Sequence, residues 1–140
     1  MSDSEYFSAA DHELNARMAR GELHRYDWGV ERIKRENDTL DAREWLEAAG
    51  EDYGVIYELS HEESLDAVEE CYRRGAVLVE AMGHLPEDPA DNSVDMLLIT
   101  LPSDKASREL LFELEELIAG MSGYQLSVDE GQNYLLLLFK

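Results

Sequence analysis

This 140-residue sequence has few basic residues, one cysteine and three prolines, and it contains no long apolar run. The 12 Lys and Arg against 32 Asp and Glu give a formal charge of −20, which argues against a nucleic acid backbone or an anionic membrane as the partner. Cys71 cannot form an internal disulfide or an all-cysteine metal site, as is usual in a reducing compartment. Because the sequence lacks a run of about 18 apolar residues and a secretion-type start, we expect a cytoplasmic protein.

The acidic residues are concentrated in the later part of the chain. Residues 1–43 carry 7 basic and 10 acidic side chains, whereas residues 44–140 carry 5 basic and 22 acidic ones. Hydrophobic residues make up 44% of the sequence, which is enough to form the core of one domain. We therefore predict a helical extension over residues 1–50 and an acidic domain over residues 51–140.

The last helix of this extension has the clearest pattern. Apolar residues recur there at the spacing of one helix face: Ala42, Trp45, Leu46 and Ala49. Asp38 or Thr39 can cap the start of the helix, and Gly50 can end it. The helix must therefore bury Trp45.

Alternating apolar residues from about Tyr53 to Leu59 predict the first strand of the domain. Ser60 and Glu63 then fit a capping box, in which each side chain accepts a hydrogen bond from the other residue's backbone N–H. Gly75 stands where the following helix would end. This segment therefore predicts a strand followed by an amphipathic helix.

The rest of the domain predicts two strands, a helix and two more strands. The first two strands, residues 76–82 and 94–101, are expected to be antiparallel neighbours. A helix opens at residues 102–104, with a wide apolar stripe formed by Leu110, Leu111, Leu114, Leu117, Ile118 and Met121. The strand-like runs 124–128 and 133–139 follow. The order βαββαβ, with an extra C-terminal strand, predicts an α+β, ferredoxin-like split βαβ fold with both helices on one face of the sheet.

The run Leu135 to Phe139 is apolar at both odd and even positions. Because successive strand residues point to opposite faces, such a strand needs cover on both faces. Either the N-terminal helices or a second subunit must supply the cover. We therefore expect Leu136 and Leu138 to lie in close internal packing or in a homodimer contact.

Catalytic and metal-binding patterns are missing from the sequence. Its four histidines are not spaced as paired ligands on one helix, and no phosphate-binding glycine loop or nucleophile motif occurs. Cys71 falls near a predicted helix C-terminus and beside the inward stripe, so we expect a packed thiol. The sequence therefore predicts no metal, no cofactor and no catalytic residue. An enzyme or small-molecule-binding protein that uses the open sheet face is the alternative, with Tyr53, Tyr57 and His84 as its candidate residues.

The negative charge points to a basic protein as the partner. Acidic residues recur at helical spacing on the two domain helices: Asp66, Glu69, Glu70, Glu109, Glu113 and Glu116. Their common field would steer a positively charged surface towards them. Solubility or adaptation to a salty cytoplasm would explain the charge equally well, and 9 Arg against 3 Lys fits that explanation too. An immunity or antitoxin protein against a basic nuclease would share the same acidity.

Five segments between residues 40 and 123 carry a resemblance to a known family: Trp45-Leu46, Gly50 to Tyr53, Tyr57-Glu58-Leu59, Ser64 to Tyr72, and Arg74-Gly75-Ala76-Val77. In these segments the sequence resembles the RraB family of ribonuclease E inhibitors, which are small acidic cytosolic regulators with a ferredoxin-like fold. The resemblance implies a non-catalytic protein that binds an RNA-degrading enzyme and alters its activity. It implies no catalytic residues.

Overall fold

The computed structural model describes residues 9–36, 38–53, 55–56, 59–83, 94–122 and 127–139. These residues form five helices and four strands: α1 Ala9–Ala19, α2 Arg25–Glu36, β1 Asp38–Asp41, α3 Ala42–Tyr53, α4 His61–Arg73, β2 Leu78–Gly83, β3 Val94–Thr100, α5 Lys105–Ser122 and β4 Tyr134–Leu138. The strands form one open, fully antiparallel sheet. The predicted α+β class is therefore confirmed.

The sheet has the order β1-β2-β3-β4, which follows the chain. In the predicted split βαβ arrangement, two strands joined by a helix run in the same direction with another strand between them. Here α5 joins β3 to β4, yet these strands pair directly and antiparallel, with Leu98 opposite Leu136. The ferredoxin-like order is therefore not confirmed among the described residues.

The predicted first strand, from Tyr53 to Leu59, is wrong where the structure describes it. Tyr53 is the last residue of α3, and Val55, Ile56 and Leu59 lie outside any strand. Ile56 is fully buried, and its backbone N–H donates to Ser64 Oγ at 2.8 Å. The N–H of Ile56 therefore has its acceptor on α4 and not on a neighbouring strand. The edge of β2 is already paired with β1.

The strand β1 lies within the part of the chain for which we predicted only helices. Asp38 and Thr39, predicted as helix caps, are strand residues opposite Gly83 and Met82 of β2. The cap of α3 is Asp41, whose Oδ1 accepts from the backbone N–H of Glu44 at 3.1 Å. The cap was misplaced because several adjacent polar residues satisfy the same local rule, and only pairing with β2 distinguishes them.

The helix α3 buries three of the four residues that its pattern predicts, and the fourth, Ala49, is partly buried against the core. Ala42 and Leu46 are fully buried, Trp45 is 6% exposed, and all three belong to the main core. Gly50, predicted to end the helix, breaks it with a φ of 72°, and a helical turn continues to Tyr53. Only glycine adopts this left-handed conformation without a steric penalty.

The helix α4 and the two strands after it agree with the prediction. Ser60 Oγ accepts from the N–H of Glu63 at 3.0 Å, and Glu63 accepts in return from the N–H of Ser60 at 3.1 Å. The helix buries Val68 and Cys71. The strands β2 and β3 then pair antiparallel, as predicted.

The helix α5 buries a narrower face than its wide apolar stripe predicts. Leu111 is fully buried, and Leu114 and Ile118 are partly buried against the main core. Leu110 and Leu117 are 44% and 58% exposed. A stripe that extends beyond about one third of the helix circumference cannot all face one sheet, so these two leucines remain in solvent.

The C-terminal region confirms β4 as a strand. Of the predicted strand 124–128, the described residues Ser127 and Val128 are not in a strand, and residues 124–126 lie outside the described residues. Leu135 and Leu137 of β4 are fully buried in the main core, between the sheet and the helices α3, α4 and α5.

The second face of the sheet is covered by α2. Val30 is buried there with Met82 and Leu98, and Leu136 packs against this smaller cluster. The sheet face that the small-molecule alternative requires is therefore covered in this region, and the cover comes from an N-terminal helix. A homodimer through Leu136 and Leu138 stays a prediction.

The same helix covers the outer edge of β4. Tyr26 Oη accepts from the backbone N–H of Leu136 at 2.9 Å, and the Asp27 carboxylate accepts from the N–H groups of Asn133 and Tyr134 at 2.9 and 3.1 Å. An open strand edge would present unpaired donors to other chains. The side chains of α2 close this edge.

Candidate functional site

The acidic residues predicted on α4 are mostly paired with arginines of the same chain. Glu69 accepts two hydrogen bonds from Arg43 at 2.6 and 2.8 Å, and this contact lowers the pKa of Glu69. Glu70 accepts from Arg74 at 2.9 Å and from Arg73 at 2.6 Å, which lowers its pKa likewise. Much of the predicted α4 charge is therefore neutralised within the fold.

The Arg43 contact also joins two helices. The Arg43 guanidinium lies 3.8 Å from the ring centroid of Tyr72, and it comes from α3 while Tyr72 and Glu69 belong to α4. A guanidinium that stacks on a ring and pairs with a carboxylate holds both side chains in place. Glu69 therefore has a structural role, and of the predicted α4 acids only Asp66 is exposed, while Glu69 and Glu70 are half-buried.

The acidic residues predicted on α5 have a different environment. Glu109, Glu113 and Glu116 are all exposed, and Glu109 lies 3.9 Å from Lys105, at the limit of an ion pair. Within the described ranges, Glu113 and Glu116 make no side-chain hydrogen bond or ion pair. Their charge is therefore available to a partner.

These three glutamates border an open groove between α5 and residues 127–129. The groove has a volume of about 470 Å³ and is lined by Glu109, Phe112, Glu113, Glu115, Glu116, Ser127, Val128 and Asp129. We call it the α5 groove. Phe112 and Val128 give it apolar surface, and Val128 is 70% exposed. The exposed apolar surface suits the aliphatic stem of a Lys or Arg side chain, and the negative charge beside it suits the charged head.

Arg108 holds the far wall of the α5 groove in place. Its guanidinium donates to Asp129 at 2.6 Å and to the backbone oxygens of Gln132 and Pro102 at 2.9 and 3.1 Å. The contact with Arg108 lowers the pKa of Asp129. Because its charge is paired with Arg108, Asp129 adds less free negative charge to the groove than Glu113 or Glu116.

Glu115 anchors the same wall from inside. It is 1% exposed, and its two carboxylate oxygens accept from the backbone N–H and the Oγ–H of Ser127 at 2.8 and 2.9 Å. Burial raises the pKa of Glu115, and the bonds from Ser127 oppose that rise. Our sequence reasoning missed Glu115, although its position four residues after Leu111 and three before Ile118 places it on the inward face.

The structure does not test the three residues of the small-molecule alternative. The backbone of Tyr53 forms the end of α3. Tyr57 and His84 lie outside the described residues. A second groove, of about 380 Å³, lies at the start of α2 and includes Tyr26 and Trp28. The sequence reasoning did not identify this groove, because its walls come from separate segments of the chain.

Cys71 does not have the properties of a nucleophile. It is 1% exposed, and burial raises the pKa of its thiol to about 12. A buried, protonated thiol reacts slowly. Across the described ranges no group of three or more His, Cys, Asp or Glu side chains could hold a metal ion. No helix within these ranges has the length and apolar character needed to cross a membrane.

Comparison of the chain with protein-family models, with curated proteins and with solved structures gives no match. The resemblance to the RraB family therefore stays a prediction.

Proposed function

We propose that this protein acts by binding a basic protein through the α5 groove, without a chemical reaction of its own. The observation that carries the proposal is the contrast between the two acidic helices. Glu69 and Glu70 of α4 are paired with arginines, whereas Glu113 and Glu116 of α5 are exposed and have no such pairs within the described chain.

The physical basis is electrostatic steering followed by local contact. A chain with a formal charge of −20 attracts a cationic surface over a long range, and exposed glutamates then form ion pairs with it. Each exposed pair contributes only about 0.2–1 kcal/mol, so several pairs and the apolar surface of Phe112 and Val128 must act together. Binding should therefore weaken strongly as salt rises.

The proposed partner is an RNA-degrading enzyme of the cytoplasm, whose activity the protein would alter on binding. The support for this partner class is the resemblance to the RraB family together with the free acidic surface of α5. RNA-binding enzymes carry basic surfaces for the phosphate backbone, and an acidic protein can occupy such a surface in place of RNA.

The test is affinity capture from a lysate of the native host with three forms of the full chain. They are the unmodified protein, a variant with Glu109, Glu113 and Glu116 changed to Lys, and a control with Glu44, Glu47 and Glu51 changed to Lys. The control residues are exposed glutamates of α3, so both variants change the net charge equally. Each captured ribonuclease is then assayed for RNA cleavage with and without the added protein.

We expect the unmodified protein and the α3 control to retain a basic ribonuclease that elutes with salt, and the α5 variant to lose it. Equal loss of the ribonuclease in both variants would show that binding depends on the net charge of the chain and not on the position of the glutamates. Retention of no basic protein by the unmodified chain would contradict the proposal, as would capture of a ribonuclease whose RNA cleavage does not change.

A further inference from the structure

Exposed leucines lie beside the acidic residues of α5. Leu110 and Leu117 are 44% and 58% exposed and stand seven residues apart, which is two helical turns, so they share one side of the helix. Leu114 lies between them and is partly buried against the core. The three leucines form a short apolar row, which we call the leucine row.

Glu113 adjoins this row on its outer side. It stands three residues after Leu110 and four before Leu117, and residues at these spacings are neighbours on a helix surface. Phe112 lies about 160° around the helix from Leu110, so the glutamates separate the leucine row from the α5 groove. The helix α5 therefore presents the apolar leucine row directly beside the acidic border of the α5 groove.

The spacing of the leucine row matches the way in which proteins bind a helix. An amphipathic helix places apolar residues at i, i+3 or i+4 and i+7 against a complementary apolar surface, and flanking charges set its orientation. The leucines at positions 110, 114 and 117 have this 4-3 spacing. The row can therefore accept one apolar face of two helical turns.

The charges decide what kind of helix fits. A two-fold contact between two copies brings the same patch of each chain together, so Glu113 and its neighbours would face glutamates of the other copy. Two half-exposed leucines are also too small an apolar surface for a stable dimer, which buries about 1,200 Å² or more. A helix with Lys or Arg beside its apolar residues avoids the repulsion between glutamates, and it can bind weakly through a small area.

We propose that α5 binds a basic amphipathic helix of the partner protein, whose apolar residues cover Leu110 and Leu117 and whose Lys or Arg side chains pair with Glu113. This inference rests on the proposed function and names the partner element that it recognises. The contact is weak and depends on salt, because it combines a small apolar area with exposed ion pairs.

The test uses three synthetic peptides of about 18 residues and the full chain, with binding measured by fluorescence anisotropy at low and high salt. One peptide has Leu and Lys in amphipathic helical order. A second has the same composition scrambled so that no apolar face forms, and a third keeps the helical order with Glu in place of Lys. Circular dichroism of each mixture measures helix formation on binding.

We expect the ordered basic peptide to bind with a gain of helix, and at least about tenfold more tightly than the scrambled or acidic one. Equal binding of the two basic peptides would overturn the inference but leave the proposed function standing, since charge alone would then suffice. Binding of neither basic peptide at low salt would count against both.

Two variants locate the contact. Leu110→Asn with Leu117→Asn should weaken binding of the ordered peptide about tenfold, since each leucine loses apolar contact with the peptide. The matched control is Leu40→Asn with Val77→Asn, which changes two exposed apolar side chains outside α5. Leu40 is 47% exposed and Val77 is 62% exposed. This control should bind the peptide as the unmodified chain does. Equal weakening in both, or a dimer of the unmodified chain that Leu110→Asn dissociates, would overturn the inference.

Discussion

The closure of the β4 edge by Asp27 makes a stability prediction that can be worked from the structure. Asp27 is 1% exposed, and its carboxylate accepts from the backbone N–H groups of Asn133 and Tyr134. In Asp27→Ala these two donors lose their partner at a buried edge. The variant should therefore be less stable, and its sheet edge should be open to other chains.

The expected loss is about 3 kcal/mol. A hydrogen bond to a charged group contributes roughly 1.5–3 kcal/mol, and an unsatisfied buried donor costs about 1–3 kcal/mol. Some water can reach an edge strand, so the sum for two donors is reduced. For a chain of this length, 3 kcal/mol corresponds to a fall in Tm of about 10 °C. Asp27→Asn should lose about half as much, because its amide oxygen can still accept.

The assay is urea unfolding followed by circular dichroism, with light scattering to detect association. Asp66→Ala, at an exposed position of α4, is the control and should change the free energy of unfolding by less than about 0.5 kcal/mol. If Asp27→Ala unfolds at the same urea concentration as this control, the reasoning about the closed edge is wrong.

Three further predictions concern two buried titratable groups, Cys71 and Glu115, and the backbone conformation of Gly75. Cys71 should react with a thiol reagent at neutral pH only after unfolding, because burial raises its pKa to about 12; rapid labelling of the folded chain would contradict this. Burial raises the pKa of Glu115, so the folded chain holds this proton more tightly than the unfolded one, and stability should fall as pH rises from the ordinary value of 4.5 through the folded pKa. Glu115→Gln should flatten that part of the curve of unfolding free energy against pH, and an unchanged slope would refute the burial argument. Gly75→Ala should cost about 1–3 kcal/mol in urea unfolding, since Gly75 has a φ of 104° and an added Cβ would lie 2.7 Å from Ser107 Cβ. Combined with Ser107→Gly it should cost less than the sum of the two changes, and simple additivity would exclude the clash.

The sequence by itself determined the elements whose signals are local. The capping box of Ser60 and Glu63 and the apolar spacing around Leu46 depend on residues within one or two turns, and both have the predicted geometry. The apolar run of β4 likewise predicts that both faces of the strand are covered, although it does not identify the covering element. Such features are readable because each depends on a few neighbouring side chains.

Tertiary structure alone decided which segments meet. The strand β1 is four residues long, and only its pairing with β2 distinguishes it from a helix cap. Arg43 lies 26 residues before Glu69 in the chain, and Asp27 lies more than a hundred residues before the N–H groups it binds. No local pattern marks these partners, because the chain folds back between them. The pairing of Glu69 with Arg43 follows from such a long-range contact, whereas Glu70 pairs with Arg73 and Arg74, three and four residues further along the chain.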